Sequence, residues 1–194
     1  MTPRFAAVLL GSSLLLLTGC ADKPALVNVR EKGDYYAETR QDEKALAQYR
    51  DYLTRKPEDT EVRYKYANTL SRLGQKADAR EQFSLLVDIT PTDERFIDGY
   101  TTSLYEAGEL GELNGFLTRM TTQRGNVRDW VRMGEFSQKA GDLDNAKTAY
   151  QTAAKLDGGR TTGPWIAMAD LYKSIGDKKN EKGMVERALF ITPQ

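Results

Sequence analysis

Cys20 is the residue of this chain with the most distinctive reactivity: it is the only thiol among 194 residues, and the chain holds no histidine. A thiolate can be acylated, alkylated, oxidised or bound to a metal. With one Cys and no His, a disulfide within the chain, a structural zinc site, a Ser-His-Asp array and a Cys-His couple all lack their parts. The groups left for catalysis are carboxylates, lysines, hydroxyls and phenols, which cover any soluble surface. No catalytic residue, metal ligand or cofactor is expected, and the chain does not read as an enzyme.

The surroundings of the thiol give it a role. Arg4 is followed by an uncharged apolar run of 13 residues, Phe5 to Leu17. That is shorter than the roughly 20 residues a spanning helix needs, so it reads as the apolar region of a secretory signal. Directly after it, Leu17-Thr18-Gly19-Cys20 resembles the bacterial lipobox, where small residues precede a cysteine that is diacylated before cleavage. The resemblance implies a cleaved signal peptide over 1–19, lipidation of Cys20, a short tether over 20–25 and a folded domain over 26–194. Each acyl methylene contributes about 0.8 kcal/mol, so two or three chains hold a soluble body on a bilayer without any protein contact. Ala21 to Ala25 span at most about 20 Å, which keeps the domain near the bilayer. In the lipoproteins of Gram-negative bacteria that the chain resembles, Asp directly after the cysteine favours the inner membrane. Ala21 stands there instead, which implies the outer membrane, periplasmic face.

Basic and acidic residues balance at 28 each, and loss of Arg4 with the signal tips the balance one charge negative. No basic excess is left to neutralise phosphates, so no nucleic acid partner is expected. Charged residues make up 29% and hydrophobic ones 40%, the proportions of an ordinary soluble domain.

Helix breakers return at a fixed interval through that domain. Pro57, Pro91, Gly125, Gly158 and Pro193 follow one another at 34, 34, 33 and 35 residues. Seventeen residues before each lie Arg40, Gly74, Gly108, Gly141 and Gly176, four of the five suited to a tight turn between helices. After each turn come Ala45, Ala79, Leu113, Ala146 and Glu181, mostly small, and four residues later Tyr49, Phe83, Leu117, Tyr150 and Val185. These put one apolar stripe on each second helix. First helices carry Gly33 and Tyr36, Tyr66 and Leu70, Tyr100 and Leu104, Trp130 and Gly134, and Trp165, Met168 and Tyr172, which with Tyr150 and Phe83 are expected in the core. Tyr64 and Tyr105 fall off the stripe and are better candidates for touching a partner.

In these positions the sequence resembles the tetratricopeptide repeat family, whose unit is a 34-residue helix-turn-helix. The resemblance implies an all-α fold, a right-handed solenoid of about five such repeats from residue 26 to 193. The third unit departs most, with Leu113 for a small residue and Gly115 inside its second helix. In the family the first helices line a concave groove. By position that groove would hold Arg30 and Asp34; Tyr64, Asn68 and Arg72; Asp98, Thr102 and Tyr105; and Arg128, Val131, Arg132 and Glu135. Such a surface suits an extended peptide or a helix. Asn68, Arg128 and Arg132 also fall where some repeat proteins grip a peptide carboxylate, although Tyr64 and Gly99 interrupt that pattern. The plainer reading of Arg128 and Arg132 is a solvated helix face paired with nearby acids.

Lipobox and repeats together resemble the repeat lipoproteins of tight-adherence (Flp) pilus machinery and, more distantly, type IV pilus pilotins. That implies a protein-protein interaction scaffold for pilus or secretin assembly, with envelope proteins and the lipid bilayer as partners. The alternative is an adaptor lipoprotein for outer-membrane barrel assembly or peptidoglycan enzymes. The chain stops at Gln194 without a polar capping helix, so Met184, Ala188 and Phe190 are expected to border a face that forms a homodimer or docks on a partner.

Overall fold

The computed structural model describes residues 26–191, which form ten α-helices and no strands. The signal peptide, Cys20, the tether and Pro193 lie outside the described residues. The helices are α1 (Leu26–Glu38), α2 (Asp42–Arg55), α3 (Thr60–Arg72), α4 (Lys76–Ile89), α5 (Glu94–Ala107), α6 (Leu110–Gln123), α7 (Val127–Lys139), α8 (Leu143–Asp157), α9 (Gly163–Ser174) and α10 (Lys178–Leu189). They pair in chain order into five hairpins, and each hairpin packs on the next.

Both series of breakers do what their spacing predicts. Arg40, Gly74, Gly108, Gly141 and Gly176 are the turn residues inside the hairpins, and all five hold a positive φ of 59° to 82°. Pro57, Pro91, Gly125 and Gly158 fall between hairpins, where the next first helix must start. Asp59, Asp93 and Asn126 cap those starts by accepting from the backbone N–H of Val62, Arg95 and Asp129. Asp142 and Asp177 do the same for α8 and α10.

Close crossing of the two helices depends on small residues facing rings. Ala45, Ala79 and Ala146 are fully buried on the second helices. The rings of Tyr49 and Tyr150 lie against Gly33 and Gly134, and that of Phe83 against Gly99 of the following hairpin. The phenols reach polar partners at the edge of the core, Tyr49 to Asp34 at 2.8 Å and Tyr150 to Gln138 at 3.1 Å.

The third hairpin breaks this pattern. Leu113 takes the place of the alanines, and Thr101 stands where Gly33, Ala67 and Gly134 stand in their own hairpins. These larger groups hold α5 and α6 farther apart than the helices of the other hairpins. At the next joint Arg132 takes the place of Gly99, and α6 and α7 pack loosely too.

Three expectations about packing need correction. Tyr64 and Tyr105 are half-buried against the main core: Tyr64 sits edge-on to Phe83 with ring centres 6.1 Å apart, and Tyr105 lies 5.8 Å from Phe136. Val185, expected on the core stripe, is exposed, because among the described residues α10 packs on α9 and buries only Ala188. Trp130 is half-buried rather than enclosed.

Candidate protein-docking groove

First helices of neighbouring hairpins do not close tightly on one another, and the gaps between them form clefts. The cleft between α1 and α3 has a volume of about 560 Å³, and Asp34, Tyr64, Asn68 and Arg72 line it together with Glu38, Lys65 and Tyr49. The cleft between α5 and α7, about 360 Å³, is lined by Asp98, Thr102, Arg128, Val131, Arg132 and Glu135, with Lys139 beside them. A third, of about 410 Å³, lies between α7 and α9 and adds Ala167, Asp170 and Ser174. Between α3 and α5 the gap is filled: Tyr64 packs on Phe96 with ring centres 5.6 Å apart, and Arg95 bridges to Glu61 at 2.9 Å.

The polar groups of the first cleft are already partly engaged. Asp34 accepts from Tyr49 Oη at 2.8 Å and from Lys65 Nζ at 2.9 Å. Burial, reinforced by the Asp34 carboxylate, raises the Tyr49 pKa, so this phenol stays protonated and acts as a donor. Arg72 grips Asp42 through Nε at 3.0 Å and Nη2 at 2.6 Å, and this bond lowers the Asp42 pKa. The Asn68 amide donates to the Tyr64 carbonyl at 2.9 Å. Arg30 stands apart, 3.9 Å from Asp59.

The second cleft is floored by an ion-pair network. Arg132, with a side chain only 4% exposed, reaches Asp98 at 2.5 Å, Glu94 at 2.7 Å and Asp129 at 3.4 Å. Arg124 adds bonds to Glu94 at 2.5 Å and Asp129 at 3.1 Å, and Arg128 lies 3.3 Å from both Glu94 and Asp98. Three guanidinium groups thus balance three carboxylates and tie α5 to α7. Burial raises the pKa of Asp129, which has no exposed side-chain surface, even though two arginines work against it. Glu94 goes the other way: burial would raise it, but hydrogen bonds from Arg132 and Arg124 win and hold it low.

Arg132 is therefore a buried joint residue, not part of a solvated face. Its donors are committed to Asp98 and Glu94. Asn68 lies in a different cleft from Arg128 and Arg132, so the three do not converge on one carboxylate. Tyr105 donates to the Lys139 carbonyl at 3.1 Å and braces the same joint.

Five stacked hairpins with a row of clefts between their first helices agree with what known proteins show. The tetratricopeptide repeat family matches residues 130–159. No curated protein matches the chain. Among solved structures, one reported as the crystal structure of MamA protein is 18% identical, with a TM-score of 0.61 over 84% of this chain and 90% of that one. MamA 41-end from Desulfovibrio magneticus RS-1 gives 0.61 at 15% identity over 86% and 94%. TTC0263, a thermophilic TPR protein in Thermus thermophilus, gives 0.55 at 22% identity over 88% and 93%. The chain has the tetratricopeptide-repeat fold. At such identities the likeness carries the architecture alone.

Several residues of the groove escaped the sequence reading. Lys65 and Glu38 line the first cleft, Glu94, Arg124 and Asp129 complete the network, and Asp170 extends the groove to α9. The signal for the network was present: Asp98 precedes Arg132 by one repeat length, as Glu61 precedes Arg95.

Proposed function

We propose that the protein is a lipid-anchored scaffold at the periplasmic face of the outer membrane, where it holds a segment of an envelope partner during assembly of a pilus or secretin apparatus. The observation that carries the binding half is the row of clefts between α1 and α3, α5 and α7, and α7 and α9. Their walls offer a half-buried ring, Tyr64, beside donors and acceptors of both signs, the mixture an extended segment needs to satisfy its backbone and bury alternate side chains. The anchoring half is supported by the apolar run and lipobox that end at Cys20.

The test is affinity isolation of the lipidated protein from detergent-solubilised envelopes, comparing wild type with a Tyr64→Ala, Asn68→Ala variant. Arg132 stays intact, because its loss would disturb the joint itself. Recovery of a secretin or pilus component that the variant loses supports the reading. Recovery of barrel-assembly or peptidoglycan enzymes in its place overturns the pilus assignment. Incorporation of labelled palmitate that disappears in Cys20→Ser supports the anchor, and no incorporation into wild type overturns it.

A further inference from the structure

Away from the groove, the loose third hairpin leaves an opening at the edge of the solenoid where the turns inside the hairpins lie. Leu113 and Leu117 of α6 and Met133 and Phe136 of α7 floor a cleft of about 220 Å³, rimmed by Asn114 and Asp142. At the preceding joint the ring of Phe83 presses on Gly99. The cleft is below the roughly 300 Å³ at which small-molecule sites begin, and it is shaped for one large apolar side chain. Asp142 is the one charged residue lining it.

The chain also carries the complement. Leu189 and Phe190, 78% and 86% exposed, are the most exposed large apolar side chains among the described residues. Arg187 stands one helical turn before Phe190, over the ring of Trp165 at 5.1 Å. Lys178, Lys179, Lys182 and Arg187 outnumber Glu181 and Glu186 on α10. An apolar pair beside a base thus matches an apolar hole beside an acid. Of the end face expected from sequence, Ala188 is buried and Met184 packs on the core, which leaves this pair as the contact.

We propose that Phe190 of one copy seats in the cleft between α6 and α7 of a second copy, with Arg187 meeting Asp142. The knob lies on the fifth hairpin and the hole between the third and fourth, so the contact is head-to-side. It leaves a free hole and a free knob on the pair, and copies add in series unless a ring closes. This inference does not rest on the groove reading.

A photoreactive benzophenone amino acid placed at Asn114 of the full chain, irradiated in cells that express it, tests the contact. The expected product has twice the mass of the chain, with the link mapped to Leu189–Phe190. Phe190→Asp, a change at a solvated position that leaves the helical circular dichroism intact, lowers that product at least tenfold, and Phe190→Leu retains it. A link to another protein, a link to a different part of the second copy, or no adduct overturns the proposal, whatever the groove is found to bind.

Discussion

The ring of Tyr150 lies against the backbone of Gly134, so close that a Cβ added there would stand 2.4 Å from Tyr150 Cε1. The ring has nowhere to go, because Tyr150 is buried and its hydroxyl is bonded to Gln138. A helical Gly→Ala change ordinarily gains up to about 1 kcal/mol from helix propensity. Overpacking at a closed site loses about 1–3 kcal/mol. Gly134→Ala is therefore expected to lower stability by about 1–2 kcal/mol in urea unfolding. Gly183→Ala in α10, where a Cβ meets nothing within 4 Å, is expected to raise it by about 0.5–1 kcal/mol. Equal effects at the two sites would remove the size argument for the crossings.

Arg40 is the one described residue other than glycine with a positive φ, at 59°, and it fills the turn that glycines fill in the other four hairpins. Left-handed backbone disfavours an L-side chain by about 1–2 kcal/mol, part of which glycine returns as lost chain entropy. Arg40→Gly is expected to raise the unfolding midpoint by the equivalent of about 0.5–1 kcal/mol, whereas Arg40→Ala keeps the strain and is expected to leave it unchanged. An equal gain from alanine would trace the effect to the guanidinium instead.

How far the sequence was readable follows from which periodicity was applied to which residues. Turn residues and the apolar stripe repeat at one interval, so the five hairpins, their turns and the anomaly at Leu113 could all be placed from it. Charges repeat at the same interval, but a single helix viewed alone shows only Arg128 and Arg132 four apart, which looks like a solvated face. The acids that bury Arg132 sit one hairpin earlier, at Glu94 and Asp98. Asp42 with Arg72 follows the same rule. Tyr64 lies outside the helix face marked by Tyr66 and Leu70, and it is half-buried because α4 of its own hairpin brings Phe83 to it and the next hairpin brings Phe96, which one helix alone does not show.

Replacing Arg132 with Met tests whether the network is a joint or an ornament. The change leaves Asp129 enclosed and Glu94 short of a partner, and breaking a buried pair from one side costs about 3–5 kcal/mol. Asp98 and Glu94 remain partly solvated, which screens their share. The expected loss is about 3 kcal/mol, with hydrogen exchange accelerating in α5 and α7 before α1 and α2. Uniform acceleration along the chain would show that the network does not act locally.

The two kinds of carboxylate in that network make opposite predictions for acid. Glu94 is held below its ordinary value near 4.5 by Arg132 and Arg124, which outweigh burial, so it binds protons more weakly in the fold than in the unfolded chain. Its stabilisation is present above about pH 4.5 and is lost as pH falls toward its folded pKa. Asp129 is raised by burial above 3.8, so the folded chain takes its proton first and gains stability as pH falls through that raised value. Urea unfolding between neutral pH and about pH 3.5 separates them. Relative to wild type, Glu94→Gln is expected to flatten the acid loss of stability, and Asp129→Asn, which keeps the shape but removes the site of proton uptake, is expected to steepen it. Identical slopes in all three proteins would mean that the network does not couple proton binding to folding.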